Sequence, residues 1–214
     1  MIDYPYYRAP TREAEEDFFR SQSMGRLITR SSSGEMLAGL YPYVLHENQI
    51  ELHLVRGDVQ AKSLRGQPSC LFEVDQVLSY IPSHWQDPEN AQKADNFYRF
   101  ACVRGSATVS DDISNLAAHL GRLIQRNQPE GRHRRLEPDE PMFAAGYGRL
   151  AVVWISMNQV DTKFKLGQNY SIETRRSIIA HLRERNASLD HATADEVELW
   201  ITHYPDISGP VPHR

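Results

Sequence analysis

The residues best suited to bind a ligand lie in one short segment, KFKLGQN. Lys163 and Lys165 carry positive charge, and the amides of Gln168 and Asn169 can each donate and accept hydrogen bonds. Gly167 lets the backbone come close to a bound group, or supplies an unusual backbone angle for a turn. Two interpretations therefore stay open. In one, the polar groups converge on a ligand, and in the other the segment is a plain turn between a strand and a helix. Composition alone favours the turn.

The segment HLVRGDVQAKSL holds a second set of candidates, at the junction between a strand and a short helix predicted over residues 58–64. A helix N-terminus offers free N–H groups and the positive end of a dipole, which suits a phosphate. Arg56 and Lys62 can add charge from two sides, the arginine in a bidentate mode. The alternative is a pair of solvated surface cations. His53 is equally compatible with a ligand contact and with a half-buried polar position.

Strands must position most of these residues. Residues 150–155 (LAVVWI) are apolar and rich in β-branched side chains, which predicts a strand covered on both faces. The other predicted strands are residues 24–30, 36–45, 49–56, 69–74 and 97–109. Residues 79–95 are expected to form a loop, and residues 161–169 a polar turn.

Helices are predicted from caps and apolar periodicity. Their expected starts are Thr11, Asp111 or Asp112, Ser171, and a capping box made of Thr193 and Glu196. The tail, residues 205–214, is expected to be flexible. Strands joined mostly by hairpins, with helices inserted late, favour an antiparallel barrel with flanking helices, although periodicity alone does not separate a barrel from a sandwich.

Composition narrows the class of protein. With 40% hydrophobic and 24% charged residues, the 214-residue chain is typical of a soluble globular protein, as one large domain or a domain with an appendage. It has no apolar run of membrane-spanning length and no signal-peptide core, so a cytoplasmic protein is expected. Cys70 and Cys102 are expected to be buried free thiols, and the nine histidines lack metal-ligand spacing.

The net charge of −4 argues against direct binding to duplex DNA. A basic cluster comprises Arg122, Arg126, Arg132, Arg134 and Arg135. We interpret it as a solvated region that pairs with local acids. If the protein does contact nucleic acid, this cluster is the first place to test. The chain has no dinucleotide-binding, Walker or nucleophile-elbow motif.

Two motifs carry a resemblance to a known family. KFKLGQN followed by Ser171, Glu173 and Arg175 (S-x-E-x-R) resembles the C-terminal signature of the FMN-binding split-barrel proteins. The branch is the PaiB-type FMN-binding negative regulators with their flavin-nucleotide-binding relatives, distant cousins of pyridoxamine-phosphate oxidase. The second motif, YIPSHWQ at residues 80–86, is similar to the Tyr-Ile-Ser-Pro-Ser-Trp-Tyr run of PaiB-type chains, but is one residue shorter before the serine and lacks the last tyrosine. The resemblance spans about residues 8–186.

The resemblance implies a mainly antiparallel β fold with flanking helices, an FMN-binding split β-barrel over residues 1–186. Residues 187–214 would form a C-terminal helix and tail packed on it or extending from it. FMN would bind non-covalently at a homodimer interface and support redox chemistry on a small molecule, with a nicotinamide electron donor. The alternative is a PaiB-like regulator that binds FMN without turnover. Heme binding is a third alternative for which no axial ligand is marked.

The resemblance also implies where FMN lies. The predicted contacts are Tyr41, Pro42, His53, Arg56, Lys62, Tyr80, Ser83, Trp85, Lys165, Gln168 and Asn169. Arg56 and Lys62 would hold the phosphate, and the strand with Tyr41 and Pro42 would lie along the flavin ring. Tyr80, Ser83 and Trp85 would wall the ring and bond its carbonyls, or else plug a barrel end. The KFKLGQN segment would meet the polar edge of the ring.

Overall fold

The computed structural model describes residues 4–205, which form two compact units. Unit 1 contains Met1–Glu15, Asp75–Ala101 and Thr162–Arg214, and unit 2 contains Glu16–Val74 and Cys102–Asp161. Most of the predicted flexible tail, residues 206–214, lies outside the described residues. The predicted domain boundary after residue 186 stays a prediction.

The sheet has eight strands. They are β1 Met24–Arg30, β2 Met36–Pro42, β3 Val44–His46, β4 Gln49–Val55, β5 Ser69–Ile81, β6 Asp95–Ser110, β7 Leu150–Ser156 and β8 Gln159–Lys165. The strand order is β2-β1-β5-β6-β7-β4-β3, with β8 paired to β6. Because the order has two ends, the sheet does not close among the described residues. The predicted class, mainly antiparallel β with flanking helices, is confirmed.

Helices flank this sheet. They are α1 Arg12–Ser21, α2 Val59–Gly66, α3 Ile113–Asn127, α4 Ala144–Tyr147, α5 Ile172–Arg185 and α6 Asp190–His203. Short 3-10 turns occur at Pro5–Tyr7, Ser83–Trp85, Ala91–Lys93 and Pro141–Phe143. Caps set several starts as predicted. The side chains of Asp112 and Ser171 accept hydrogen bonds from the backbone N–H groups of Asn115 and Thr174.

The core of unit 2 forms around β7. This strand pairs with β4 on one side and with β6 on the other. Val152 packs in a buried cluster with Leu116 and Ala117 of α3 and with Tyr147 of α4. The prediction that residues 150–155 form a strand covered on both faces is confirmed. Because elements of the same chain cover it, this apolar run needs no second subunit to bury it.

Three predicted boundaries are wrong. β8 occupies much of the predicted turn over residues 161–169, because polar side chains outnumber the buried Phe164 and mask the strand periodicity. β5 continues to Ile81, inside the predicted loop of residues 79–95. The strand predicted over residues 36–45 is broken after Pro42, which has no N–H group to continue the ladder.

The capping box predicted at Thr193 is also wrong, since α6 begins at Asp190 and Thr193 lies inside it. The Thr193 hydroxyl donates to the Leu189 carbonyl at 2.7 Å and accepts from the Ser79 N–H group at 3.0 Å. The Ser79 hydroxyl donates to Asp190 at 2.6 Å. The Arg185 guanidinium, bonded to both Asp190 oxygens, holds the pKa of that carboxyl well below its usual range. These contacts fix α6 to β5 within unit 1.

Candidate functional site

A cavity of about 550 Å³ in unit 2 lies beside α2. Its lining residues are Arg30, Ser31, Ser32, Val59, Lys62, Ser63, Gly66 and Gln67. Within residues 4–205, neither Arg30 nor Lys62 forms an ion pair, so both cations remain available to an anion. Hydroxyl and cationic groups of this kind bind phosphate. The predicted phosphate contact Lys62 therefore lies in a setting that fits the phosphate end of a nucleotide.

Arg56, the other predicted phosphate contact, is used inside unit 2. Its Nε atom donates to the Leu150 carbonyl at 2.8 Å. Its Nη2 atom donates to the carbonyls of Asp111 at 3.0 Å and Tyr147 at 3.2 Å, and the Asp111 carboxylate lies 3.3 Å from Nε. The guanidinium thus ties the end of β4 to three neighbouring segments. These contacts favour a structural role for Arg56 over the predicted phosphate contact.

Tyr41 and Pro42 lie at the end of β2, a strand at one end of the sheet order. The Tyr41 hydroxyl donates to Oε1 of Gln60 at 2.7 Å, and Nε2 of buried Gln60 donates to the Leu27 carbonyl at 3.0 Å. A Cβ atom on Gly39 would approach the Tyr41 hydroxyl to 2.4 Å. The Tyr41 side chain therefore joins β2 to α2. The predicted backbone contacts of β2 with a flavin ring stay a prediction.

His53 faces α3 rather than standing alone on its strand. Its Nδ1 atom lies 3.1 Å from Nε2 of His119, and the two ring centroids are 5.3 Å apart. Burial, and then the charge of His119, lower the pKa of His53 to about 4. Among the described residues, no group bonds to the other ring nitrogen of His53, Nε2. His53 is therefore neutral near pH 7, with one ring nitrogen left for a further partner.

In unit 1, the KFKLGQN segment bonds to itself and to its neighbours. Gln168 is 0% exposed; its Oε1 accepts from the Leu166 N–H group at 2.8 Å and its Nε2 donates to the Phe164 carbonyl at 2.6 Å. Gly167 has φ +79°, and a Cβ atom there would lie 2.9 Å from the Phe97 ring. The segment forms a tight turn that needs its glycine, as the turn interpretation predicts.

The remaining polar groups of this segment also have protein partners. Lys165 forms an ion pair with Asp95, which also accepts a hydrogen bond from the Tyr170 hydroxyl at 3.1 Å. Asn169 accepts a hydrogen bond from the Tyr7 hydroxyl at 3.1 Å. These contacts favour structural roles for Lys165 and Asn169 over the predicted contacts with a flavin edge.

The YIPSHWQ motif is also in unit 1, where its residues divide between packing and exposure. Trp85 stacks on His181 with ring centroids 5.1 Å apart, and the Arg185 guanidinium lies 4.6 Å from the indole centroid. Ser83 is half-buried and opens a 3-10 turn. The Tyr80 side chain remains 52% exposed. Trp85 therefore packs on α5, while the Tyr80 ring is exposed.

The basic cluster pairs with nearby groups. Arg134 bonds to Glu140 at 3.0 Å, and Arg135 bonds to Glu137 at 2.7 Å. Arg126 donates to the Tyr43, Arg20 and Gln22 carbonyls. The pairings of Arg134 and Arg135 match the interpretation as a solvated region that pairs with local acids, whereas Arg126 binds backbone carbonyls instead. Within residues 4–205, no group of three or more His, Cys, Asp or Glu side chains is placed to hold a metal ion, and no helix suits a membrane crossing.

Sequence reasoning missed two sets of residues. Arg30 was predicted only as the end of the strand over residues 24–30, and Ser31 and Ser32 were not predicted as site residues, although all three line the cavity that contains Lys62. Glu51 was not predicted as a site residue, and its neighbour His119 was not found. A signal was present, because His119 and Arg122 are three residues apart on a predicted helix and so share one of its faces.

Comparison with known proteins places this geometry in a family. A family model described as "Putative FMN-binding domain" matches residues 1–153. No curated protein sequence matches the chain. The KFKLGQN segment lies beyond the matched residues. His53 lies within them, and so do the residues that line the cavity beside α2.

Solved structures share the fold at low sequence identity. An FAD and heme binding protein from Mycobacterium smegmatis has a TM-score of 0.62 at 12% identity, over 80% of this chain and 79% of that chain. A flavocytochrome from Azotobacter vinelandii has a TM-score of 0.62 at 12% identity, over 77% and 72%. A conserved hypothetical protein from Mycobacterium tuberculosis has a TM-score of 0.59 at 16% identity, over 76% and 89%.

These likenesses identify the flavin-binding split-barrel fold, and the family match covers well over half of the 214 residues. The chain therefore belongs to the FMN-binding domain family, and FMN is its cofactor.

Proposed function

We propose that this protein is an FMN-dependent oxidoreductase that acts on a small molecule and takes electrons from a nicotinamide donor. The observation that carries the proposal is the cavity beside α2, where Lys62 and Arg30 lie among serine hydroxyls without ion-pair partners in the described range. This set of groups fits the phosphate of FMN. When bound, FMN supplies hydride or electron transfer, and the chain anchors and orients it.

The alternative, a PaiB-like regulator that binds FMN and contacts DNA, has less support. Arg134 and Arg135 of the basic cluster pair with Glu140 and Glu137, and Arg126 binds backbone carbonyls, so neighbouring groups offset part of the positive charge. One protein that shares the fold is named an FAD and heme binding protein and another a flavocytochrome, which agrees with a redox role. The net charge of −4 also disfavours non-specific attraction to nucleic acid.

The phosphate anchor is tested by comparing FMN with riboflavin, which lacks the phosphate. Lys62→Ala and Arg30→Ala should each weaken FMN binding about 10- to 100-fold, as expected for one lost charge-assisted contact, and leave riboflavin binding unchanged. Arg65→Ala is the matched control on the same helix, because Arg65 pairs with Asp111 at 2.6 Å instead of lining the cavity. Equal losses for both ligands would contradict the phosphate assignment.

Turnover is tested by spectroscopy of the flavin-loaded protein without oxygen. A nicotinamide donor should bleach the flavin absorbance, and an electron acceptor should restore it. Stable FMN binding with no bleaching by either nicotinamide dinucleotide would contradict the oxidoreductase assignment and leave a flavin-binding protein.

The proposal includes a cytoplasmic homodimer. Met36 and Leu40 on β2 are 57% and 55% exposed, and Met24 on the adjacent β1 is 40% exposed. Exposed apolar side chains grouped on one sheet face are typical of an interface. This face is the place where a second copy of the chain is expected to bind.

A further inference from the structure

Three ionisable side chains form a line inside unit 2. Glu51 and His53 lie on the same face of β4, and His119 faces them from α3. His119 is 0% exposed and Glu51 is 2% exposed. Oε2 of Glu51 lies 3.5 Å from Nδ1 of His119, and Nε2 of His119 lies 3.1 Å from Nδ1 of His53. The line therefore runs from a buried carboxylate to the partly exposed His53.

The carboxylate at the buried end is held ionised. Arg122 donates to both of its oxygens, at 2.9 and 3.0 Å, and the Trp154 indole donates at 3.0 Å. Burial opposes ionisation of Glu51, but the nearby His119 ring and the hydrogen bonds from Arg122 and Trp154 outweigh it and lower the pKa of Glu51 to about 2. Near neutral pH, Glu51 is therefore a fixed negative charge beside His119.

The His119 ring lies between this charge and His53. Within residues 4–205, its Nδ1 atom has no well-formed hydrogen bond, and the 3.5 Å separation from Oε2 of Glu51 is within the range of an ion pair. Glu51 is therefore placed to attract any positive charge that reaches the His119 ring, in a buried setting that screens the attraction little.

His53 lies at the other end of the line. His119 contacts it from α3, Glu51 lies on its own face of β4 and is bonded to Arg122, and Val152 lies opposite it on β7. Burial, and then the charge of His119, lower the pKa of His53 to about 4, so a positive charge on His119 disfavours a proton on His53.

We propose that Glu51, His119 and His53 form a proton relay whose open end is Nε2 of His53. In the accepting direction, Nε2 takes a proton from a bound hydroxyl or N–H group. The Nδ1 proton of His53 then passes to Nε2 of His119, which becomes an imidazolium beside the Glu51 carboxylate. One proton moves along the line and no electrons are transferred. The reverse sequence returns the proton.

In this relay His53 contacts the proton-exchanging ligand, and His119 and Glu51 are positioning residues. The ligand class is a small molecule that gains or loses a proton as it is oxidised or reduced, and this identification rests on the proposed function. The relay itself is a property of the protein without flavin, so it can be tested separately.

The test is a ¹⁵N NMR titration of the histidine rings in the full-length, flavin-free protein. The first proton should appear on His119, with His53 changing tautomer in the same step. Glu51→Gln should reduce the proton affinity of the pair at least tenfold. Trp154→Phe should raise it severalfold, because the carboxylate loses a competing donor. His46→Gln, on β3, is the control and should change neither value.

Two results would overturn the relay. One is a first proton that resides on His53 while the His119 signals stay fixed. The other is a proton affinity that changes by less than about twofold in any of the Glu51 and Trp154 variants that folds. Because each variant has its own expected direction of change, loss of folding in one still leaves the other decisive. A protein that passes this titration but does not bind FMN would refute the proposed function and leave the relay standing.

Discussion

Replacing Gln168 by alanine should lower the stability of the flavin-free protein and leave the FMN affinity of the folded protein unchanged. The reason is that both ends of the Gln168 carboxamide bond to the backbone, to the Leu166 N–H group at 2.8 Å and the Phe164 carbonyl at 2.6 Å. The side chain is 0% exposed, so solvent does not replace these bonds without rearrangement.

The magnitude follows from the two backbone groups that lose their partner. A buried donor or acceptor left unsatisfied costs about 1–3 kcal/mol, so the loss of both should lower the free energy of unfolding by roughly 2–6 kcal/mol. For a chain of this size each kcal/mol corresponds to about 2–4 °C, which gives a fall in Tm of roughly 4–24 °C. A water molecule that enters the vacated space would bring the loss towards the lower end.

Urea denaturation of the flavin-free protein measures the change, and FMN titration of the same samples measures the affinity. Asn169→Ala is the matched control: Asn169 accepts one hydrogen bond from Tyr7 at 3.1 Å in a partly buried setting, so its loss should cost only about 1 kcal/mol. The reasoning is refuted if Gln168→Ala weakens FMN binding tenfold or more while the Tm of the flavin-free protein moves by less than about 2 °C.

Three further outcomes are expected. The free energy of unfolding should fall steadily from about pH 6.5 to pH 2. The reason is that the folded-state pKa of His53 is about 4, below its usual 6.5, and that of Glu51 is about 2, below its usual 4.5. Equal free energies of unfolding at pH 6.5 and pH 4 would contradict this. Gly105→Ala should lower stability by about 1–3 kcal/mol in urea melts, since a Cβ atom would lie 2.6 Å from the Ser156 carbonyl; an unchanged midpoint would contradict the contact. Leu40→Glu should convert the proposed dimer to a monomer in light scattering, and a dimer that persists would move the interface elsewhere.

The parts of the fold that could be predicted depend on local patterns. The caps at Asp112 and Ser171 and the uninterrupted apolar strand at residues 150–155 are each visible within a few consecutive residues. β8 was missed because it carries only one fully buried residue, Phe164, so neither helical nor alternating periodicity identified it.

The candidate site was less predictable. Whether a candidate side chain is free to bind a ligand depends on partners that are distant in the sequence. Lys165 and Arg56 have the residue types that bind a nucleotide, but Asp95 and the Leu150 carbonyl engage them, 70 and 94 residues away in the sequence. Local sequence determines what a side chain can bind, whereas the tertiary fold determines whether a protein group already occupies it. Lys62 is still available to bind an anion, because Arg30 and serines line its cavity and no acidic side chain does.

The bonds that fix α6 to β5 also constrain the order in which the newly made chain can mature. All segments of unit 2 have been synthesised once residue 161 is made, whereas unit 1 also needs segments made after it. The hydrogen bond between Ser79 and Thr193 cannot form until Thr193 is made, 114 residues later in the sequence. At about 5–20 residues per second, that separation corresponds to roughly 6–23 seconds of synthesis. During this interval α6 is not available to bond to the end of β5, so this part of unit 1 matures only after every segment of unit 2 has been made.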